Sequence, residues 1–290
     1  MKCRFIKDLV TTYPVRLLCR VMQISHSAYY AWRKRPAKII TANELHLYRR
    51  MKALFADSRG SLGSRTLLKQ LRREGFTLGR YRVRRLMKQL KLTVRQRRAY
   101  KVTTVRKRNH RVANNLVNQD FNPKVSNQVW AGDITYLRTH EGWLYLAIVM
   151  DLHSRRIIGW AMDKVMTVDL VKRAMHMAIT LRKPERGLVF HSDRGSQYTS
   201  KRFGKLLKKH GIQASMSGKG ACWDNAVVER FFGSLKNEWL LKIYHLTREA
   251  MKQDVQHYIR YYNQTRLHSA NGDLSPIDFE QPLLNVSGLT

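Results

Sequence analysis

A change of hydropathic period at Val125 constrains the fold of this chain more than any other feature. Beyond it, residues 128–137, 143–150 and 157–162 are short runs rich in β-formers, and residues 151–156 can turn between the last two as a hairpin. Residues 168–181 then have helical period, and 187–191 make a buried strand. Thr199 or Ser200 can cap a helix that turns Phe203, Leu206 and Leu207 inward, with Gly211 suited to its end. Residues 212–216 form a last short strand. Asp224 or Asn225 can cap a long helix whose stripe is Val228, Phe231, Phe232, Leu235 and Trp239. Three strands, helix, strand, helix, strand, helix predict an α/β core on a mixed five-stranded sheet with flanking helices.

Ahead of Val125 the period is helical. Residues 15–32 read as helix, tight turn and helix, with Leu17, Leu18, Val21, Ile24 and Tyr29 closing a small core; a helix-turn-helix and a plain helical hairpin fit equally. After the hinge Arg33-Lys34-Arg35-Pro36 come three amphipathic helices. Their stripes are Leu45, Tyr48, Met51, Leu54 and Phe55; then Leu67, Leu68 and Leu71; then Val83, Leu86, Met87 and Leu90. The third also carries Arg80, Arg82, Arg84, Arg85 and Lys88, a face that suits phosphates or a major groove as well as plain solvent. Residues 91–123 have little apolar period and many cations, among them Arg95, Arg97, Arg98, Lys101, Arg106, Lys107, Arg108 and Arg111. The expected domains are a helix-turn-helix-like segment (1–38), a second basic helical DNA-binding domain (39–92), a DNA-tracking basic linker (93–123) and the α/β domain with a C-terminal helical tail (124–290).

Charge supports that division. The net charge of +35 exceeds what solubility needs, and a polyanion is the usual partner of such a field. Residues 1–120 carry 31 Lys+Arg against 5 Asp+Glu, so most of the excess lies ahead of the sheet. The three cysteines form neither a C-x-x-C pair nor a disulfide framework, which fits a reducing cytoplasm. The longest apolar run, 144–150, is far short of a membrane span and the start lacks a signal-peptide run. A cytoplasmic, nucleoid-associated protein without a membrane partner is expected.

Among twenty acids some pair will fall at almost any spacing, so placement carries the argument. Asp133 lies on the first strand, on the side shared by Val129, Ala131, Thr135 and Leu137. Asp193 follows a buried strand directly, at the carboxyl end where α/β sheets bind ligands. Glu229 lies about one turn into its helix beside the apolar stripe, able to face the sheet. Three hard oxygen donors suit Mg²⁺ or Mn²⁺ rather than Zn²⁺, and can hold two ions against a phosphodiester. Asp151, Asp163 and Asp224 sit where turns and caps need an acid. His191 can orient a water or Asp193, or serve as an ordinary hydrogen-bonding residue. Lys236, seven residues after Glu229 on the same helix face, can neutralise a phosphate or stand solvated.

Four strings carry a resemblance: Trp-Ala-Gly-Asp-Ile-Thr-Tyr (130–136), His-Ser-Asp-Arg-Gly-Ser-Gln-Tyr (191–198), Cys-Trp-Asp-Asn-Ala-Val-Val-Glu-Arg-Phe-Phe-Gly-Ser-Leu-Lys (222–236) and Tyr-Asn-Gln-Thr-Arg-Leu-His-Ser (262–269). In this order they resemble the OrfB product of two-frame bacterial insertion sequences (insertion-sequence family three), DDE transposases of the retroviral-integrase superfamily. The resemblance covers nearly the whole chain. It implies a ribonuclease H-like core, catalytic acids at Asp133, Asp193 and Glu229, a basic residue at Lys236, support from Asn225, and two Mg²⁺ or Mn²⁺ ions. The implied reaction is 3′-end cleavage and strand transfer through a circular DNA intermediate. The implied partners are terminal inverted repeats, target DNA, an OrfA product or a frameshift fusion with it, and further copies on DNA. The same acids would serve a nuclease that cuts without joining, and a DNA-binding transposition regulator would keep the basic helices alone. Asn271-Gly272-Asp273 departs from the family's Leu-Gly-aromatic step, which bears on packing of the C-terminal turn.

Overall fold

The computed structural model describes residues 2–34, 40–94, 113–117, 121–218, 225–241 and 243–281. The basic linker residues Arg95, Arg97, Arg98, Lys101, Arg106, Lys107, Arg108 and Arg111, with Asp224, lie outside the described residues. The chain forms two units that divide between Arg49 and Arg50.

In the first unit α1 (Lys2–Leu9), α2 (Val15–Val21) and α3 (His26–Arg33) close a core of Ile6, Leu18, Cys19 and Tyr29, with Val15, Met22 and Ile24 packed around it. The Ser25 hydroxyl caps α3 by accepting from the Ala28 N–H at 3.1 Å. Two expected core residues are corrected, since Leu17 is 45% and Val21 70% exposed. The cause is α1, which the pattern did not reveal. Its Ile6 draws the stripe Val15, Leu18, Cys19 and Met22 inward, at helical spacing, and turns Leu17 and Val21 out.

In the second unit α4 (Ala42–Asp57, which begins before the division), α5 (Ser64–Arg73) and α6 (Arg80–Gln89) bury Met51, Leu54, Leu67, Leu71, Val83 and Leu86, as their stripes predict, but Leu45 of the α4 stripe is corrected, being 43% exposed. The α5–α6 turn is closed by Arg72, whose Nε and Nη2 donate to the Leu78 carbonyl at 3.2 and 2.9 Å.

The sheet has the order β3-β2-β1-β4-β5, from β1 (Val129–Thr139), β2 (Gly142–Asp151), β3 (Ile157–Asp163), β4 (Val189–Ser192) and β5 (Gln213–Met216). The first three strands are antiparallel neighbours, while β4 runs parallel to both β1 and β5. On one face α9 (Ala226–Ser234) and α10 (Arg248–Gln264) cover Ala131, Leu144, Leu146 and Ile148. On the other α7 (Val168–Arg182) and α8 (Lys201–Lys209) cover Trp130, Ala147, Val149 and Phe190. β3 and α7 approach so closely that a Cβ at Gly159 would stand 2.2 Å from the Ala174 carbonyl oxygen. This is the predicted α/β order with β1 central.

The string 262–269 does structural work. Asn263 clips α10 to β3 by accepting from the Ile157 N–H at 2.9 Å and donating to its carbonyl at 2.8 Å. His268, pushed down to about 3 by burial and by Arg266 and Arg155, packs edge-on against Tyr262. The departing tail step forms a left-handed turn at Gly272 and Asp273, before α11 (Pro276–Glu280). Buried Asn271 anchors it by donating to the Ser154 carbonyl at 2.7 Å.

Candidate active site

The last pair of the β1–β4 ladder is Gly132 with Ser192, so the next residues on the two parallel strands are Asp133 and Asp193. Neighbouring strands lie about 4.8 Å apart, and the register therefore sets these two acids side by side where β4 ends. Each is fixed by a nearby N–H. Asp133 Oδ1 accepts from Ile134 at 2.7 Å, and Asp193 Oδ1 accepts from Gly195 at 2.8 Å. A Cβ at Gly195 would stand 2.8 Å from that same Asp193 oxygen, so any side chain there would push against the carboxylate.

Tyr198, in the loop after β4, packs its ring against Phe190 and Phe203 at centroid distances of 6.0 and 5.5 Å. Burial pushes its phenol well up, and the charges of Asp133 and Asp193 push the same way, so the hydroxyl stands in the field of both. It is the last residue of the string 191–198, and only that membership signals it in the sequence.

Glu229 is placed differently. It stands exposed in the first turn of α9, whose Val228, Phe231 and Phe232 are buried in the same core as Ala131 and Leu137 of β1. Among the described residues no three His, Cys, Asp or Glu side chains are grouped closely enough to hold a metal ion. The register brings Asp133 and Asp193 together, and α9 presents Glu229 on the helix covering Asp133's face of the sheet. The donors fit a hard divalent ion: they are carboxylate oxygens, partly solvent-accessible, in the place where the sheet opens.

Beyond α9 the helix widens into a π-turn, Leu235–Trp239, closed by the Leu240 N–H on the Leu235 carbonyl at 3.0 Å. Lys236 lies in it, half-buried. Burial pushes its ammonium down and Asp133 partly restores it, which places the cation within reach of the acid. Its Nζ is 4.9 Å from the centroid of the Tyr136 ring. Arg266 holds the turn in place, donating from Nε and Nη2 to the Glu238 carboxylate at 2.9 and 3.0 Å.

His191 makes hydrogen bonds within the sheet, the second of its two expected roles. It is fully buried, with Nδ1 2.9 Å from the Ser215 hydroxyl and Nε2 3.3 Å from that of Ser217, and so ties β4 to the end of β5. Asn225 sits at the N-cap of α9 but its side chain caps nothing, because its backbone (φ −123°, ψ 20°) is not in the extended conformation of a capping residue. Asp151 is buried, accepting from the Asn127 and His153 N–H groups at 2.9 and 3.0 Å, and Asp163 pairs with Arg173 at 2.6 Å; both are structural. On α6 the side chains of Arg80, Arg82, Arg84, Arg85 and Lys88 all lie on the exposed side.

The family described as "Integrase core domain" matches residues 123–222, and a second family of that description matches 210–276. An "HTH-like domain" family matches 42–100. The chain is 40% identical over 283 residues to the transposase InsF for insertion sequence IS3A of Escherichia coli (strain K12), covering 97% of this chain and 98% of that protein. It is 38% identical over 265 residues to an uncharacterized 31 kDa protein of insertion element IS600 from Shigella sonnei, covering 91% and 97%. Among solved structures it is similar to the HTLV-2 integrase catalytic core domain in complex with magnesium, at 20% identity and TM-score 0.44 over 55% of this chain and 99% of that one.

Proposed function

Because the chain belongs to the DDE transposases of IS3-type insertion sequences, and is a DNA polynucleotidyl transferase, we propose that Asp133, Asp193 and Glu229 are its catalytic acids. The observation that carries this is the β1–β4 register, which sets Asp133 beside Asp193 at the end of β4. Together with Glu229 they would hold Mg²⁺ or Mn²⁺, two ions in the family's manner. Bound there, such ions supply Lewis acidity at the phosphodiester and a more acidic water.

The chain's own residues do the rest. The N–H groups of Ile134 and Gly195 hold the two aspartates in place before DNA arrives, so little reorganisation accompanies reaction. Lys236 sets a cation beside Asp133, where negative charge gathers on an in-line phosphoryl centre. Cleavage frees a 3′-hydroxyl, and that hydroxyl attacks a second phosphodiester, so no covalent link to the protein is needed. His191 stiffens the strand end through Ser215 and Ser217.

The exposed cations of α6 fit the major groove or its phosphates, and the match of an HTH-like family to this region supports 39–92 as a DNA-binding domain. The resemblance to two-frame elements supports an OrfA partner or fusion, and assembly of several copies on the element ends and target. Action on DNA supports a cytoplasmic, nucleoid-associated protein; among the described residues no helix is long and apolar enough to cross a membrane.

The test is a strand-transfer assay on the element's own ends with Asp133→Asn, Asp193→Asn and Glu229→Gln. Each is expected to lose joining by at least about 10³-fold, the scale of several kcal/mol of transition-state charge stabilisation. DNA binding should survive. Near-normal joining by any one of them would remove it from the site.

A further inference from the structure

Tyr136 and Trp143 face each other across β1 and β2 at a centroid distance of 5.2 Å and an interplanar angle of 87°. They are 56% and 44% exposed, and neither belongs to the cores on the two faces of the sheet. Each carries a cation: Lys236 Nζ lies 4.9 Å from the Tyr136 centroid, and the Arg138 guanidinium carbon 5.7 Å from that of Trp143. Packing does not call for two large rings in water, and two cations on them mark a surface for an anion that also bears flat apolar groups.

Their place narrows the choice. The β1–β4 ladder stops at Gly132, so among the described residues no strand pairs with that edge of β1 from Asp133 onward. Tyr136 follows Asp133 by three residues, about 10 Å along the strand with its side chain on the opposite face, so a DNA strand would pass from one to the other over the open edge of β1, and 10 Å is about three nucleotides at a spacing of 3.4 Å. Lys236 Nζ lies over the Tyr136 ring at this open edge and feels the charge of Asp133. The geometry points to a base-stacking platform on Tyr136 and Trp143, which holds an unpaired nucleotide of the DNA strand about three nucleotides from the phosphate being cut. A paired base keeps its faces inside the duplex, so only a splayed one offers a ring to stack. Lys236 and Arg138 take the flanking phosphates. The inference rests on assigning Asp133 to the reacting centre.

Binding without divalent metal tests it apart from that assignment. The full chain and its Tyr136→Ala and Trp143→Ala variants are titrated, in EDTA, with two probes of one sequence: a blunt duplex and the same duplex with three unpaired nucleotides at the 3′ end, one of them 2-aminopurine. Stacking on aromatic side chains contributes on the order of 5- to 150-fold in affinity per base. Each alanine variant is therefore expected to lose about tenfold or more on the frayed probe and less than twofold on the blunt one. The 2-aminopurine quenching should disappear with it, and Tyr136→Phe and Trp143→Phe should restore both. Thermal melting of each variant checks that it is folded. Equal losses on the two probes, or none, would overturn the platform. So would a change of sedimentation in the alanine variants without DNA, which would assign the rings to contact with a second copy. If the Asp133 assignment fails in strand transfer while these differences hold, the platform stands and only its distance from the cut is lost.

Discussion

The two aspartates and the glutamate of the proposed site are held by different physics. Asp133 and Asp193 are placed by a parallel ladder that fixes their register, and each carboxylate is clamped by an N–H at 2.7 or 2.8 Å. Glu229 is carried by the docking of α9, whose Val228, Phe231 and Phe232 are buried while the acid lies on the exposed side of the helix. A site built this way has two arms that come with the sheet and a third that comes with the packing of a helix. The aspartate pair should therefore tolerate loosening of α9, and Glu229 should not.

The largest effect is expected from cutting that packing. Phe231 is fully buried against Tyr258 and Tyr262, at centroid distances of 5.6 and 4.8 Å. Phe231→Ala should cost about 3–5 kcal/mol in denaturant unfolding, and the molecules still folded should lose joining. Joining retained at the wild-type rate per folded molecule would show that Glu229 does not depend on this dock.

Gly195→Ala strikes the other arm. Its Cβ would meet Asp193 Oδ1 at 2.8 Å, so the carboxylate must move or the loop must give. A loss of about 10²-fold in strand transfer, or about 2.7 kcal/mol, is expected with little change in melting temperature. A large drop in melting temperature with unchanged chemistry would locate the strain in the loop instead.

A smaller effect should come from Arg59, which joins the helical region to the far end of Glu229's segment. Its guanidinium forks onto Asp254 and lies 4.2 Å from the Trp239 centroid; Asp254 also accepts from Trp239 Nε1 at 2.9 Å and His245 Nε2 at 2.8 Å. Burial pushes the Asp254 carboxyl up, and the bonds from Arg59, Trp239 and His245 outweigh it, so it titrates below the usual aspartate range. A depressed carboxyl contributes stability above its unfolded value, about 3.9, and loses it as pH falls through the lower folded value. Arg59→Ala should cost about 2 kcal/mol near neutrality, between exposed and buried pairs, and should raise the pH at which acid unfolding begins. An unchanged acid limb would mean that Trp239 and His245 suffice.

How much of this was legible in the sequence follows the same divide. The strands, the α9 stripe and the positions of Asp133 and Asp193 were readable because alternation and burial are local signals, and the ladder converts them into placement. What depends on partners distant in sequence was not. Nothing in Leu17 or Val21 reveals that α1 claims the other side of α2. Nothing in Arg59 points to Asp254, 195 residues on, and the exposed Tyr136 and Trp143 look like ordinary strand residues until β1 and β2 are paired. The sequence left His191 between orienting a water or Asp193 and plain hydrogen bonding, because the two serines that its ring nitrogens meet come from β5 and the loop after it.

The most direct measurement of the central claim is Mn²⁺ binding to the full chain and its Asp133→Asn, Asp193→Asn and Glu229→Gln variants, followed by electron paramagnetic resonance without DNA. A preformed aspartate pair with a looser glutamate predicts that either asparagine variant loses the tightest ion, by about 30-fold or more in affinity, while Glu229→Gln loses about fivefold or less. Loss of the tight ion in Glu229→Gln with both aspartate variants near wild type would contradict the account.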